Sequence, residues 1–349
     1  MIDKSTAGID KFIVHLVGNK SNDEGYVLSD SMNETDENLS QLLLEYFLKP
    51  FIGKDDVYHF IHSSNISMNE VFNCSKNIFE NEDFIEQSKN ILIHLYEKST
   101  HPKITMGNLF VVLFSDLKYN NELVKAIGIF KSERKETFLR TSKNKNNILL
   151  KSELGISTKQ IDKGCLIINS NENDGYRIFY IDTNRYDTKY WIDDFLRIED
   201  LRSDNYNTKN YLSLCKKFGD EYIQDNFDQK EKVAFMKKSL DYFNKNEKFD
   251  AKDFSKNVIG DTKMSHEFNR FKKNYAEENN LDDLEDFDIS QSAVKNMKRR
   301  FKNYIKLDTN IELKINFNNI ESSLEFVEKG FDRDKDMYYY KVFFNKEVN

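Results

Sequence analysis

Two carboxylates and a lysine stand in an order that phosphodiester chemistry uses: Asp116, then Glu133 with Lys135. Each group follows an apolar run of strand length, Leu109–Phe114 and Val124–Phe130. In restriction-type nucleases two such carboxylates hold Mg²⁺ while the lysine helps polarise the attacked phosphate. Here, however, Lys131 and Ser132 precede Glu133, where that arrangement prefers apolar strand residues. In a chain with 32% charged residues the spacing also arises easily by chance. Other catalytic or metal signals are weaker still. His59 and His62 sit three apart with no cluster to complete a site. Gly18-Asn19-Lys20-Ser21 resembles the tail of a phosphate-binding loop, but the upstream Gly is missing and Asn separates Gly from Lys, so a hairpin turn explains it better. The sequence therefore assigns no catalytic residue, no metal ligand and no cofactor.

The most informative segment is basic. Lys295, Lys298, Arg299, Arg300, Lys302 and Lys306 supply six cations with no anion between the first and the last. Asp288 and Ser290 are N-cap candidates just before it. Read as a helix, Ala293, Val294, Met297, Phe301 and Ile305 share one arc, and all the cations except Arg300 fall on the adjoining arc. Such a helix buries one face and presents a row of cations to phosphates. A solvated face, or one neutralised by the acid run Glu277, Glu278, Asp282, Asp283, Glu285, Asp286 and Asp288, fits the same pattern. That acid run lacks the alternating ligands and central Gly of an EF-hand loop.

The elements that must position these groups follow from composition and period. At 349 residues the chain is comfortable for two domains, and 28 Phe with 18 Tyr can fill sizeable cores. Net charge is −7 with a pI near 5.6, so any nucleic-acid contact must rest on a local basic surface. No apolar run approaches membrane-spanning length, the N-terminus lacks a secretory plan, and Cys74, Cys165 and Cys215 read as three reduced, packed thiols. The expected location is the cytoplasm.

Along the chain, a strand over Ile9–Val17 turns at Gly18–Lys20 into Tyr26–Leu28. Leu39, Leu42, Leu43, Tyr46 and Phe47 mark a helix that Pro50 ends, and Phe84, Ser88, Ile91, Leu92 and Leu95 mark a stronger one. The strand runs Leu109–Phe114, Val124–Phe130, Ile148–Leu150, Gly164–Ile168 and Tyr176–Ile181 follow, separated by polar turns. Beyond Tyr206 three amphipathic helices appear, centred on Leu214, Met236 and Phe268. Short strands near Ile311–Phe317, Leu324–Val327 and Tyr338–Phe344 close the chain. The fold class is α+β: an N-terminal sheet-rich α+β domain over 1–202, then a helical domain over 203–349 that carries the basic helix and ends in a small antiparallel sheet.

Several segments together resemble the bacterial nucleoid-associated family of the YejK/NdpA type. They are Lys11–Gly18 with Asn19-Lys20-Ser21, Glu86–Asn90 running to His94-Leu95-Tyr96, Ser99–Ile104, Ala126–Glu133, Leu212–Lys216, Phe287–Ser290 with Ser292–Lys295, Ile305–Asp308 and Glu328-Lys329-Gly330. The resemblance implies association with the nucleoid, double-stranded DNA as partner, and neither catalytic residues nor a cofactor. It carries no defined DNA-contact motif, so Lys295, Lys298, Arg299, Arg300, Lys302 and Lys306 rest on the charge pattern alone. The expected function is DNA binding with little sequence preference, compatible with a homodimer. Two alternatives stand beside it: a Mg²⁺-dependent nuclease using Asp116, Glu133 and Lys135, and an adaptor whose helices 206–280 hold a DNA-processing protein.

Overall fold

Long uninterrupted apolar runs form strands only where both faces of a sheet are covered. In a computed structural model, which describes residues 2–145, 147–183, 189–279, 281, 284–301, 304–314 and 326–346, the runs of the first half do this. Strands β1 (Ile2–Asp3), β2 (Gly8–Val17), β3 (Tyr26–Val27), β4 (Tyr58–Phe60), β5 (Gly107–Tyr119) and β6 (Glu122–Ser132) precede β7 (Lys135–Asn144), β8 (Asn147–Ile156), β9 (Lys163–Ile168), β10 (Arg177–Asp182) and β11 (Ile198–Asp200). Nine of them make one antiparallel sheet in the order β11-β4-β10-β9-β6-β5-β2-β3, with β1 added along β5. The β5–β6 turn places Asn120 and Asn121 at φ 49° and 71°, the paired left-handed conformation of a tight hairpin turn.

Helices α1 (Glu37–Leu48), α2 (Glu70–Phe79) and α3 (Phe84–Lys98) divide between the two faces. On one face Leu43, Tyr46, Phe47 and Leu48 of α1 pack on Phe110, Val112, Phe114 and Phe130. On the other, Val71, Ile78, Ile91, Leu92 and Leu95 of α2 and α3 cover Val111, Ile127, Ile129 and Cys165, joined by Trp191 and Phe195. The α3 stripe buries the five residues its spacing predicts. In α1 the stripe is half right, because Leu39 and Leu42 stay exposed. Gly128 interrupts β6 for a steric reason: a Cβ there would lie 2.3 Å from the Phe130 ring, which stacks on Phe47 with centroids 4.4 Å apart.

Buried polar side chains tie loops to this frame. Asn19 is fully buried and donates to the carbonyls of His101 and Ile104 at 2.8 and 2.9 Å, while its own carbonyl accepts the Ser21 N–H. Gly18–Ser21 is thus a clamp between two backbone segments, not a phosphate cradle. Asn69 caps α2 and donates to the carbonyls of Ile61 and Leu196.

By contacts the chain divides into two units, Met1–Leu201 and Arg202–Asn349. In the second, α4 (Asp204–Phe218) passes through a π-helical turn into the short α5 (Gln224–Asn226), followed by α6 (Gln229–Lys245), β12 (Lys248–Asp250), α7 (Ala251–Phe254), α8 (Thr262–Glu278), β13 (Asp286–Asp288) and α9 (Gln291–Lys298). Small antiparallel pairs β14 (Tyr304–Lys306) with β15 (Glu312–Lys314), and β16 (Val327–Asp332) with β17 (Met337–Val342), complete the described residues. The core is aromatic: Tyr211 meets Phe249, Phe243 and Phe254, and Phe218 meets Phe268 edge-on. The mixed α+β architecture expected from the sequence is borne out. Two details differ. Ile148–Leu150 belongs to β8, which among the described residues pairs only with β7 and lies outside the large sheet, and α9 stops at Lys298 instead of running on to Lys306.

His15 gives the first unit a pH dependence. Its Nδ1 accepts the Ser29 N–H at 3.0 Å and its Nε2 lies 3.0 Å from Ser88 Oγ, so the neutral ring is fully partnered. Burial, and secondarily Lys89, lower its pKa from 6.5 to about 4. The unfolded chain therefore binds this proton first. Stability from His15 is intact above pH 6.5, declines as pH falls toward 4, and levels off below, a loss of about 3 kcal/mol. Urea melts at several pH values should show His15→Gln less stable than the parent at pH 7.5 but with a flatter decline between 6.5 and 4. A second expectation concerns the two units. Limited proteolysis of the native chain should cut first near Arg202-Ser203, and residues 1–201 alone should melt cooperatively; two insoluble halves would identify a single folding unit.

Candidate nucleic-acid interface

The nuclease arrangement does not assemble. Asp116 sits exposed at a bulge between Phe114 and Leu117, with φ 50°. Glu133 follows Ser132, which pairs with Asn108 at the opposite end of β5. Eight residues of strand separate the two positions, roughly 25 Å. Glu133 is also occupied: Lys131 Nζ donates to it at 2.8 Å and Thr105 Oγ1 at 2.7 Å. Lys131 is buried and gives a further hydrogen bond to the Thr105 carbonyl. Burial pulls its pKa down, and Glu133 opposes that pull. Beside it Asp162, fully buried, accepts the N–H groups of Glu133 and Arg134 at 2.7 and 3.1 Å. Lys163, opposite Lys131 across the β6–β9 ladder, bonds Asp182 at 2.7 Å, and both are buried. This is a closed ionic network in which the partners offset the cost of burying charge. Lys135 opens β7 on the exposed side.

The histidines do not converge on a metal either. His59 Nδ1 lies 3.0 Å from the Asp174 carbonyl, and His62 Nδ1 accepts the Ser64 N–H. Among the described residues no group of three His, Cys, Asp or Glu is placed to hold a metal ion.

The basic segment is built as its pattern predicts for one arc and differently for the rest. Ser290, not Asp288, caps α9, its Oγ accepting the Ala293 N–H, while Asp288 ends β13. Ala293, Val294, Met297, Phe301 and Ile305 are all buried, and α9 packs on α4 and α6. Past Lys298 the backbone tightens: Arg300 N–H reaches the Met297 carbonyl and Phe301 N–H the Lys298 carbonyl, and the chain then enters β14. The helical continuation to Lys306 is therefore corrected. Ile305 is buried from a strand, and Lys306 lies on that strand 3.7 Å from Glu312. Lys302 lies outside the described residues.

Lys295, Lys298, Arg299 and Arg300 are exposed at the C-terminal end of α9 and make no ion pair among the described residues. Part of their placement is intrinsic, since cations at a helix C-terminus complement its dipole by about 0.3–1 kcal/mol. Three acids of the run are engaged by other lysines. Glu278 pairs with Lys217 at 2.9 Å, Glu285 with Lys272 at 3.4 Å and Asp288 with Lys248 at 3.7 Å, while Asp282 and Asp283 lie outside the described residues. Next to the cations, Ser213, Lys216, Lys217, Asp220, Glu221, Met297 and Arg300 line an open cleft of about 360 Å³. Lys216 and Lys217 were not singled out from the sequence, although Lys216 ends one of the family-like segments. Both are held in ion pairs, to Asp220 and Glu278.

With Asp116 and Glu133 apart and Glu133 locked, supercoiled plasmid incubated with the chain and Mg²⁺ or Mn²⁺ should stay intact. Metal-dependent nicking that Glu133→Gln abolishes in a folded protein would contradict this.

No curated protein matches the chain. The family model for the nucleoid-associated protein YejK matches residues 13–336.

Proposed function

Because the chain belongs to the nucleoid-associated protein YejK family, we propose that it binds double-stranded DNA with little sequence preference and without catalysing a reaction on it. The observation that carries this reading is the cluster of Lys295, Lys298, Arg299 and Arg300, exposed and without ion pairs among the described residues, in a chain of net charge −7. Isolated cations on an acidic protein are poor stabilisers of the fold, whereas phosphates reward them through released counterions. Lys302 is assigned to the same surface by sequence, and Lys306 at its edge, partly engaged by Glu312. Phosphate contacts set position and register; they do not read bases.

With about three to five phosphates neutralised, log K should fall against log salt with a slope of about −3 to −4.5. The variant Lys295→Glu, Lys298→Glu, Arg299→Glu leaves the buried arc of Ala293, Val294 and Met297 intact, so circular dichroism should change little, while the melting midpoint should fall modestly as the helix-dipole complement is lost. Its DNA binding should weaken alike on unrelated sequences and lose most of the salt slope. A folded triple variant that binds as tightly as the parent would remove this surface from DNA contact.

A further inference from the structure

The ribbon β7–β8 is unfinished on one side. Its strands pair with each other from Lys135↔Ile156 to Asn144↔Asn147 and with no other strand among the described residues. A lone two-stranded ribbon is marginal in water. Residues opposite one another in an antiparallel pair share a face, so one face carries Thr137, Leu139, Thr141, Ile148, Leu150 and Leu154. The four large side chains there are 68% (Leu139), 78% (Ile148), 62% (Leu150) and 65% (Leu154) exposed. The other face is better covered: Phe138, 49% exposed, lies over Gly155, where a Cβ would come within 2.5 Å of its ring, Leu149 is 41% exposed, and Arg140 pairs with Glu153 at 3.1 Å.

We propose that this apolar face packs against the same face of a second copy of the chain, so that the ribbon is a dimerisation arm. Three observations select a second copy. The middle of the face is uncharged, with Lys135 and Lys143 only at its two ends, so two copies related by a two-fold axis meet without like charges at the centre. Each copy offers an apolar area on the order of 500 Å², so that two together bury about 1,000 Å², near the lower limit of a specific interface. DNA is the poorer occupant of this face, because its two cations, Lys135 and Lys143, stand at opposite ends with only apolar and neutral side chains between them, while Arg140 and Lys151 lie on the opposite face. The two-fold axis passes near Leu139 and Ser152, the central pair of this face.

Sedimentation velocity of the full chain over micromolar concentrations should show a dimer that dissociates on dilution. Leu139→Glu with Leu150→Glu should raise the dissociation constant about a hundredfold or more. Leu149→Glu, on the opposite face, should leave it unchanged, with circular dichroism and melting as folding controls. Facing sheets stack about 10 Å apart, so Ser152→Cys should join two copies through a short bismaleimide without needing a disulfide. A chain that stays monomeric throughout, a double variant that dimerises like the parent, or a dimer that Ser152→Cys fails to cross-link would each overturn the proposal. None of these readouts involves DNA, so they stand apart from the basic-segment experiment.

Discussion

Covering both faces of β5 and β6 is the constraint on which the first unit depends. Phe110, Val112 and Phe114 alternate with Leu109, Val111 and Leu113, and every one is buried. A strand with no solvent face forces a helix layer on each side, which explains α1 on one and α2 with α3 on the other. It also limits where charge can go. Lys131, near the end of β6, and Lys163, which opens the neighbouring β9, survive there only because Glu133 and Asp182 bond them. The carboxylate that resembles a nuclease ligand is a counter-charge demanded by the sheet.

Period and burial agreed where a segment had one job. In α3, spacing of three and four marked the inward side chains because nothing else acts on that helix. The apolar runs marked strands β2, β5, β6, β9 and β10 for the same reason. Several elements were not legible, and three of them show why. Helix α2 is short, and its inward residues Val71, Phe72, Cys74, Ser75 and Ile78 mix a polar side chain into the stripe. Strand β7 carries no apolar run, since only Phe138 and Leu139 interrupt its polar residues, and it exists through its pairing with β8. Strand β4 spans three residues and is defined by its neighbours β10 and β11.

The basic segment shows how the same residues fit two backbones. Met297, Phe301 and Ile305 are four apart, which suits a continuing helix. Burial of Phe301 and Ile305 is equally achieved by a turn and a strand, because the second core takes them from either geometry. Spacing therefore identified which side chains are inside and which cations are outside, but not where the helix ends. The cation-bearing surface was legible from residue types, whereas the pairing of Glu278, Asp288 and Glu285 depended on Lys217, Lys248 and Lys272, lysines outside the basic segment.

The turn at Asn120-Asn121 has a consequence for assembly of the chain. It joins β5 to β6 with two residues already in the left-handed region, so this ladder can zip locally on the microsecond scale of hairpins. Strand β2 pairs along β5 from the other side only after about ninety intervening residues have been gathered, and that closure carries a larger entropic cost. Until it docks, one edge of a long and strongly apolar hairpin is open to any other strand. A nascent chain leaving the ribosome has β2 outside well before β5 emerges, so vectorial synthesis leaves the edge of β5 uncovered for less time than refolding from denaturant does.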